Sequence, residues 1–159
     1  MTLTVLAVGK LKENYLREAV QEYLRRLSRY AKTEILEVED EKTPEGASPA
    51  AEAQIKEREG RRLLARIPEG AYVIALAIDG PMPDSVELSR HLQELGVRGE
   101  SRLVCVIGGS LGLSPEVLSR ADERLSFSRL TFPHQLMRVI LLEQIYRSFR
   151  IARGEPYHK

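Results

Sequence analysis

Residues 103–120 read LVCVIGGSLGLSPEVLSR, an apolar run followed by a glycine-rich turn and the start of a helix. The run Leu103–Ile107 is rich in β-branched residues and is typical of a buried strand. Ser-Pro-Glu at positions 114–116 combines a cap residue, a proline suited to the first helical position and an acidic first turn. The sequence therefore predicts a strand, a loop over residues 108–113 and a helix ending near Arg120.

The same alternation of strand and helix extends along the rest of the chain. Further strands are predicted at Leu3–Val8, Thr33–Val38 and Ala71–Ile78, and further helices at Glu13–Tyr30, Ala50–Ile67, Asp84–Leu95 and His134–Arg153. A short strand is expected within residues 125–133, and residues 39–49 are expected to form a mobile loop. Because continuous apolar runs favour strands covered on both faces, we predict an α/β fold with a mostly parallel sheet flanked by helices.

Length and composition limit the kind of protein this can be. The chain has 159 residues, of which 43% are hydrophobic, and we expect one domain over residues 1–159. Basic and acidic residues nearly balance, at 24 and 23, which excludes a disordered polyelectrolyte. A single cysteine excludes an intramolecular disulfide, and no apolar run is long enough for a membrane span. These features predict a cytoplasmic protein with no membrane partner.

Charge is distributed unevenly along the chain. Residues 124–159 carry seven basic and two acidic side chains, a net charge of +5, which leaves −4 on residues 1–123. A polyanion would meet the C-terminal segment first. A solvated, arginine-rich helix face would explain the same composition.

The predicted C-terminal helix has more apolar residues than one face of a sheet can bury. They are Leu136, Met137, Val139, Ile140, Leu141, Leu142, Ile145, Tyr146, Phe149 and Ile151. The helix is either central in a monomer or shared with a second subunit. Four arginines on the helix argue against complete burial, so the sequence favours a homodimer.

Candidate ligand-binding residues lie where predicted strands end. Gly108–Gly112 follows a strand, and such loops bind ligands at the carboxyl edge of a parallel sheet, although a simple turn would have the same composition. We expect a Cβ at Gly108 to project into the space where the backbone approaches a ligand. The loop fits neither the dinucleotide fingerprint nor the phosphate-binding loop. Together with residues 125–134 and the end of strand Ala71–Ile78, it could grip a purine ring.

Metal and thiol chemistry find no support in the pattern. The three histidines are far apart, and we predict no metal site. His91 is expected to be an exposed helix residue, and Cys105, inside an apolar strand, is expected to be inert. The C-terminal Tyr157 and His158 are either part of a disordered end or a stacking ring and a proton-transfer group.

Four motifs resemble a known family. They are LAVGKLK at residues 6–12, VIGGSLG at 106–112, LTFPHQLMRV at 130–139 and the ending PYHK. Over its whole length the chain resembles the RlmH family of SPOUT-class ribosomal RNA methyltransferases. The resemblance implies a SPOUT domain with a C-terminal trefoil knot, a homodimer, and S-adenosylmethionine as the methyl donor. It also implies methylation of N3 of a pseudouridine in helix 69 of bacterial 23S rRNA, within the assembled 70S ribosome.

The resemblance also implies which residues act. The cofactor-binding positions would be Leu76, Gly108, Phe127, Ser128, Arg129, Leu130, Thr131 and Phe132. For the methyl transfer, His158 could accept the N3 proton, Arg147 could stabilise the charge on the ring, and Tyr157 could stack on the base. Two other functions remain open from the residues: a non-catalytic α/β dimer that binds a nucleotide or RNA, and a nucleotide-dependent oxidoreductase. The incomplete glycine pattern disfavours the oxidoreductase.

Overall fold

A computed structural model describes all 159 residues, and strands and helices alternate along the chain. The elements are β1 Thr2–Val8, α1 Asn14–Leu27, β2 Lys32–Val38, α2 Pro49–Leu64, β3 Tyr72–Leu76, α3 Ser85–Val97, β4 Arg102–Ile107, α4 Pro115–Arg120, β5 Glu123–Leu125 and α5 His134–Ala152. No helix is both long enough and apolar enough to span a membrane.

The five strands form one sheet in the order β2-β1-β4-β3-β5, and every neighbouring pair is parallel. Leu6 of β1, for example, lies opposite Leu36 on one side and Val106 on the other. The predicted α/β class and parallel sheet are confirmed. Since β1 and β4 are central, they are the most completely buried strands.

Successive residues of the central strands bury their side chains in two different cores. Val5 and Cys105 pack with helices α1, α3 and α5 on one face of the sheet. Leu6 and Val106 pack with helices α2 and α4 on the other face. The period of two in a strand sends neighbours to opposite faces, so a run that is apolar at every position requires helices on both sides.

Helix starts follow the expected capping chemistry. The Ser114 hydroxyl accepts a hydrogen bond from the Val117 N–H at 3.3 Å, as residues 114–116 predicted. Helix α3 begins with a capping box, in which Asp84 and Glu87 each accept from the other's backbone N–H at 2.8 and 2.7 Å. These caps fix where the preceding loops end.

The strand expected within residues 125–133 is wrong. Strand β5 comes earlier and ends at Leu125, and residues 126–133 form a loop. The Ser126 hydroxyl donates to the Ser128 carbonyl at 3.0 Å, and the Ser128 hydroxyl accepts from the Leu130 N–H at 2.9 Å. Serine side chains that bond to nearby backbone compete with a strand ladder, which explains the difference.

The loops after β3 and β5 are packed against each other. The Ala77 N–H donates to the Leu125 carbonyl at 3.0 Å, and the Ser126 N–H donates to the Pro81 carbonyl at 2.9 Å. A Cβ on Gly80 would lie 3.0 Å from the Leu125 nitrogen, so a larger residue would force the two loops slightly apart. The trefoil knot expected for this segment stays a prediction.

Candidate active site

Three loops enclose a cavity at the carboxyl ends of β3, β4 and β5. Its volume is about 160 Å³, and a larger depression of about 670 Å³ adjoins it. The two share residues Leu76–Ile78 and His134. Because ligands of open parallel sheets bind beyond the carboxyl ends of the strands, this cavity is the first candidate for a binding site.

The structure brings most of the expected cofactor-binding residues to this cavity. Its lining includes Leu76, Gly108, Phe127, Ser128, Leu130, Thr131 and Phe132. Arg129 does not line the cavity, and its side chain is exposed. The walls are therefore apolar side chains and loop backbone, without a charged residue.

Position 108 of the glycine loop requires glycine for a reason other than the one we expected. A Cβ on Gly108 would lie 2.7 and 2.8 Å from the carbonyl carbon and oxygen of Gly112, in the same loop. The expectation that it would project into ligand space is therefore wrong. The Gly112 N–H closes the turn onto the Gly109 carbonyl at 3.1 Å, with φ of +88° at Gly112. Glycine at position 108 allows the loop to fold tightly over the end of β4.

Sequence reasoning missed His134 as a cavity residue. It begins α5 directly after Pro133, and this position after a strand-end loop could have indicated it. His134 is half-buried, and its Nδ1 has no hydrogen-bond partner. Burial, and then the nearby Arg138 charge, lower the pKa of His134 below 6.5. The imidazole is consequently neutral at physiological pH and offers a free polar atom. Most other lining residues, like His134 itself, lie within the three segments predicted to form the pocket, although they were not named as cofactor positions: they are Ala77, Ile78, Gly109, Gly112, Leu125 and Ser126. Ile107 and Met137 lie outside those segments and were missed.

Arg138 fixes the first half of α5 to the sheet. Its side chain is 0% exposed and donates to the Glu37 carboxylate at 2.5 Å. It also donates to the carbonyls of Val8 and Gly9 at 3.0 and 2.7 Å, at the end of β1. These bonds position His134 one turn earlier on the helix.

The three residues expected to be catalytic lie close together at the end of the chain: Arg147 is on the second half of α5, and Tyr157 and His158 follow the helix. Arg147 donates from NH1 to His158 Nδ1 at 3.0 Å, and its guanidinium carbon lies 4.8 Å from the centre of the Tyr157 ring. Glu143, which the sequence analysis did not single out, accepts from Arg147 Nε at 2.9 Å and from the Tyr157 hydroxyl at 3.1 Å. We call Glu143, Arg147, Tyr157 and His158 the tail cluster. Its spacing of four residues on α5 could have indicated the Glu143–Arg147 pair.

The C-terminal residues pack on the helices, which rules out the alternative of a detached end. Arg150 pairs with Glu155 at 2.6 Å and donates to the Pro156 carbonyl at 3.0 Å. The Tyr30 hydroxyl of the segment after α1 donates to Glu155 at 2.7 Å. The Tyr157 ring meets the Tyr146 ring edge to face, with centroids 4.9 Å apart. Tyr157 and His158 are thereby held beside Arg147.

Local charge and burial set the protonation of this cluster. Burial, and then the hydrogen bond to Glu143, raise the pKa of Tyr157 to about 12. The same carboxylate raises the pKa of Arg147 above its usual value. The phenol is therefore protonated and the guanidinium is charged at neutral pH.

Within one chain, the cavity and the tail cluster are far from each other. No residue of the tail cluster lines the cavity. His134 and Arg147 are 13 positions apart on α5, which corresponds to about 20 Å along the helix axis. Both sets of groups cannot act on one ligand within one chain unless a docked segment moves.

Two other candidate groups have structural roles. His91 was expected to be an exposed helix residue, and this expectation is wrong. It is only partly exposed, and its Nε2 lies 2.6 and 2.8 Å from the two carboxylate oxygens of Glu123 on β5. Cys105 is buried, and burial raises the pKa of its thiol to about 12, so it is unreactive at neutral pH.

The fold and the cavity at its strand ends are those of a methyltransferase class. A family model described as "Predicted SPOUT methyltransferase" matches residues 1–158, and the chain belongs to this family. Solved structures of a methyltransferase from Bordetella pertussis Tohama I and a methylase family protein from Neisseria gonorrhoeae share the fold, each with a TM-score of 0.52 and 13% identity. They cover 92% and 91% of this chain, and the chain covers 95% and 81% of them.

Other relatives have much higher sequence identity to this chain. The chain is 59% identical to ribosomal RNA large subunit methyltransferase H of Listeria monocytogenes and 58% identical to the enzyme of that name from Clostridium novyi. Both alignments span 159 residues and the full length of each protein. These similarities favour a methyltransferase over the non-catalytic binding dimer.

Proposed function

We propose that this protein transfers a methyl group from S-adenosylmethionine to N3 of a pseudouridine in helix 69 of bacterial 23S rRNA. The observation that carries the proposal is the pairing of an apolar strand-end cavity with a separate tail cluster that contains an arginine, in a chain that matches rRNA large subunit methyltransferases over its full length. The assembled 70S ribosome is the proposed substrate, and the cytoplasm is the proposed location.

The cavity fits the methyl donor. Leu76, Phe127 and Phe132 supply apolar walls for an adenine ring, while loop backbone around Gly108 and Leu130 supplies amide and carbonyl groups. The free Nδ1 of His134 is an additional hydrogen-bonding atom in the same wall. When bound, the donor supplies a methyl group on a positively charged sulfur that leaves as a neutral thioether.

Arg129 differs from the other residues expected to bind the cofactor. It was expected among the cofactor-binding residues, but it is exposed and does not line the cavity. Its backbone lies between Ser128 and Leu130, which do line the cavity, so we propose that any contact of Arg129 with the cofactor is through its main chain.

The tail cluster is suited to the target base. Arg147 offers a permanent positive charge close to a ring that gains negative charge when N3 loses its proton. Tyr157 presents an aromatic ring beside that charge, and His158 is exposed next to both. The excess positive charge of residues 124–159 would attract the RNA backbone to this end of the molecule.

We propose a homodimer in which the tail cluster of one subunit completes the cavity of the other. The separation of the two sites along α5 supports this proposal, because the tail is held on its own helix by Arg150 and Tyr146. Apolar side chains beside the cavity are uncovered in one chain: Leu130 is 72% exposed and Ile78 is 55% exposed. A second copy that covers them would bring its own tail cluster close to the methyl donor.

Methylation of purified ribosomes with isotope-labelled S-adenosylmethionine tests this function. We expect label in 23S rRNA at N3 of one pseudouridine in helix 69, and none when ribosomes already carry that methyl group. Ribosomes from a strain lacking the modification provide the substrate, and calorimetry with S-adenosylhomocysteine provides an independent test of the cavity. Binding of RNA without any label transfer would support the non-catalytic alternative.

A further inference from the structure

The contact between Arg147 and His158 determines which nitrogen of the imidazole carries the proton. A guanidinium can only donate hydrogen bonds, and Arg147 NH1 lies 3.0 Å from His158 Nδ1. Nδ1 must therefore be the acceptor, with its lone pair directed at Arg147. In the neutral ring the proton is then on Nε2. The nitrogen that His158 presents to its surroundings is a hydrogen-bond donor.

Glu143 is the only carboxylate of the tail cluster, and its oxygens are already occupied. Oε1 accepts from Nε and NH2 of Arg147, at 2.9 and 2.5 Å, and from the Tyr157 hydroxyl at 3.1 Å. Oε2 accepts from the Gln144 amide at 2.8 Å. A carboxylate with four donors has little capacity to take a further proton.

The remaining member of the cluster is a donor as well. The Tyr157 hydroxyl uses its proton in the bond to Glu143 and stays protonated at neutral pH. Arg147, Tyr157 and His158 thus form a cluster of donors around one saturated carboxylate. Most of these donors are already bonded within the cluster, so the Nε2–H of His158 is the donor left to meet a negatively charged base, and no group is free to remove a proton.

We propose that the tail cluster binds the target base as its N3 anion, with His158 donating from Nε2 to a ring carbonyl oxygen and Glu143 acting as the positioning residue that holds Arg147. This inference rests on the proposed function and replaces the proton-accepting role that the sequence suggested for His158. The N3 proton leaves to water. The electron pair left on N3 forms the new bond to the methyl carbon as the carbon–sulfur bond breaks, and the electron pair of that bond remains on sulfur, which leaves as a neutral thioether. The negative charge, shared until then by the two carbonyl oxygens beside N3, is neutralised by the positive charge that the methyl donor carried.

The pH dependence of single-turnover methylation separates the two roles of His158. If the base reacts as a solvent-generated anion, the logarithm of the rate rises with unit slope from neutral to alkaline pH in both the parent and His158→Gln. Glutamine keeps an N–H donor but is no base, so His158→Gln should retain at least about a tenth of the parental rate, while His158→Ala loses roughly a hundredfold. A parental rate that levels off near neutral pH, with His158→Gln as slow as His158→Ala, would overturn the proposal.

A measurement without substrate tests the geometry independently of activity. Long-range proton–nitrogen correlation spectra of the labelled full-length protein distinguish the two imidazole tautomers. We expect the Nε2-protonated form at His158, and a mixture of tautomers in Glu143→Gln, where Arg147 loses its fixed partner. An Nδ1-protonated ring in the parent contradicts the donor role. An unchanged tautomer in Glu143→Gln contradicts the positioning role.

The controls keep this inference separate from the proposed function. Lys42→Ala changes an exposed lysine outside the C-terminal segment and should leave both the spectrum and the pH profile as in the parent. If the parent protein transfers no methyl group to ribosomes, the proposed function fails, whereas the tautomer spectrum still decides whether His158 is a donor.

Discussion

The two ends of helix α5 differ in what their arginines do. Near the start, Arg138 is fully buried and donates hydrogen bonds to Glu37 and to the backbone carbonyls of Val8 and Gly9 at the end of β1. Near the end, Arg147 is partly exposed and contacts only groups of the tail cluster. The first arginine anchors the start of the helix beside the cavity, and the second lies in the tail cluster, which does not line the cavity of its own chain. One helix therefore positions both the cavity residue His134 and the tail cluster.

The largest expected effect separates the two arginines by stability. Arg138→Met removes a fully buried guanidinium from Glu37 and from two backbone carbonyls, and each buried acceptor left without a donor costs about 1–3 kcal/mol. Arg147→Met breaks a pair whose side chains are 24% and 17% exposed, but Arg147 bonds no backbone carbonyl, so this change should cost less, about 1–2 kcal/mol. Urea unfolding at a fixed protein concentration measures both. Equal losses would remove the distinction between the two ends.

The next effect separates the ends by function. Arg147→Ala should lower the single-turnover rate by roughly a hundredfold, or about 2.7 kcal/mol, because the charge on the base loses its counterion. Its affinity for S-adenosylhomocysteine should stay within a factor of about two. Ala77→Trp fills the cavity instead and should abolish cofactor binding while leaving the tail cluster intact. Loss of cofactor affinity in Arg147→Ala would show that the sites are not separate.

A smaller effect tests what the glycine loop requires. A methyl group on Gly108 would overlap the Gly112 carbonyl, so Gly108→Ala should cost about 1–3 kcal/mol of stability and weaken cofactor binding. Gly96→Ala is the matched control, since its Cβ would meet only the end of the Met1 side chain at 3.5 Å. As a helix residue, it should be neutral or stabilising by up to about 1 kcal/mol. A Gly108→Ala protein as stable as the control would refute the loop-closure argument.

The smallest effect concerns the histidine at the start of α5. Burial and Arg138 lower the pKa of folded His134 below its unfolded value of 6.5, so the unfolded chain binds the proton more readily. The stability that follows from this shift is present above pH 6.5 and is lost as the pH falls below it. His134→Gln should therefore lose less stability than the parent on acidification. Parallel curves for the two proteins would contradict a buried, neutral His134.

The strands and most helices could be predicted because their residues act locally. The apolar runs of β1 and β4 require cover on both faces, and Ser114-Pro115-Glu116 caps α4 by itself. Strand β5 could not be placed, because three residues show no pattern and the following serines bond to backbone in a way that only the folded loop reveals.

The cavity loops could be predicted from the sequence more completely than the contacts of the tail cluster. Loop residues such as Gly108 and Phe132 follow strands, and the carboxyl-edge rule brings them together. Glu143 and His134 were missed because their importance comes from contacts made across the fold: one meets Tyr157 of the tail, and the other lies beside the loops after β3 and β4. The distance between cavity and tail cluster also depends on the helix that joins them.

The proposed sharing of sites between subunits has a direct test in mixed dimers. Ala77→Trp, with its cavity filled, and His158→Ala, with its tail disabled, are each expected to be inactive alone. When the two are unfolded and refolded together in equal amounts, half of the dimers contain one of each, and each of these has one intact cavity opposite one intact tail. We predict recovery of about a quarter of the parental methylation rate. No recovery, with mixed dimers shown to form, would mean that each chain uses its own tail and would contradict the shared site.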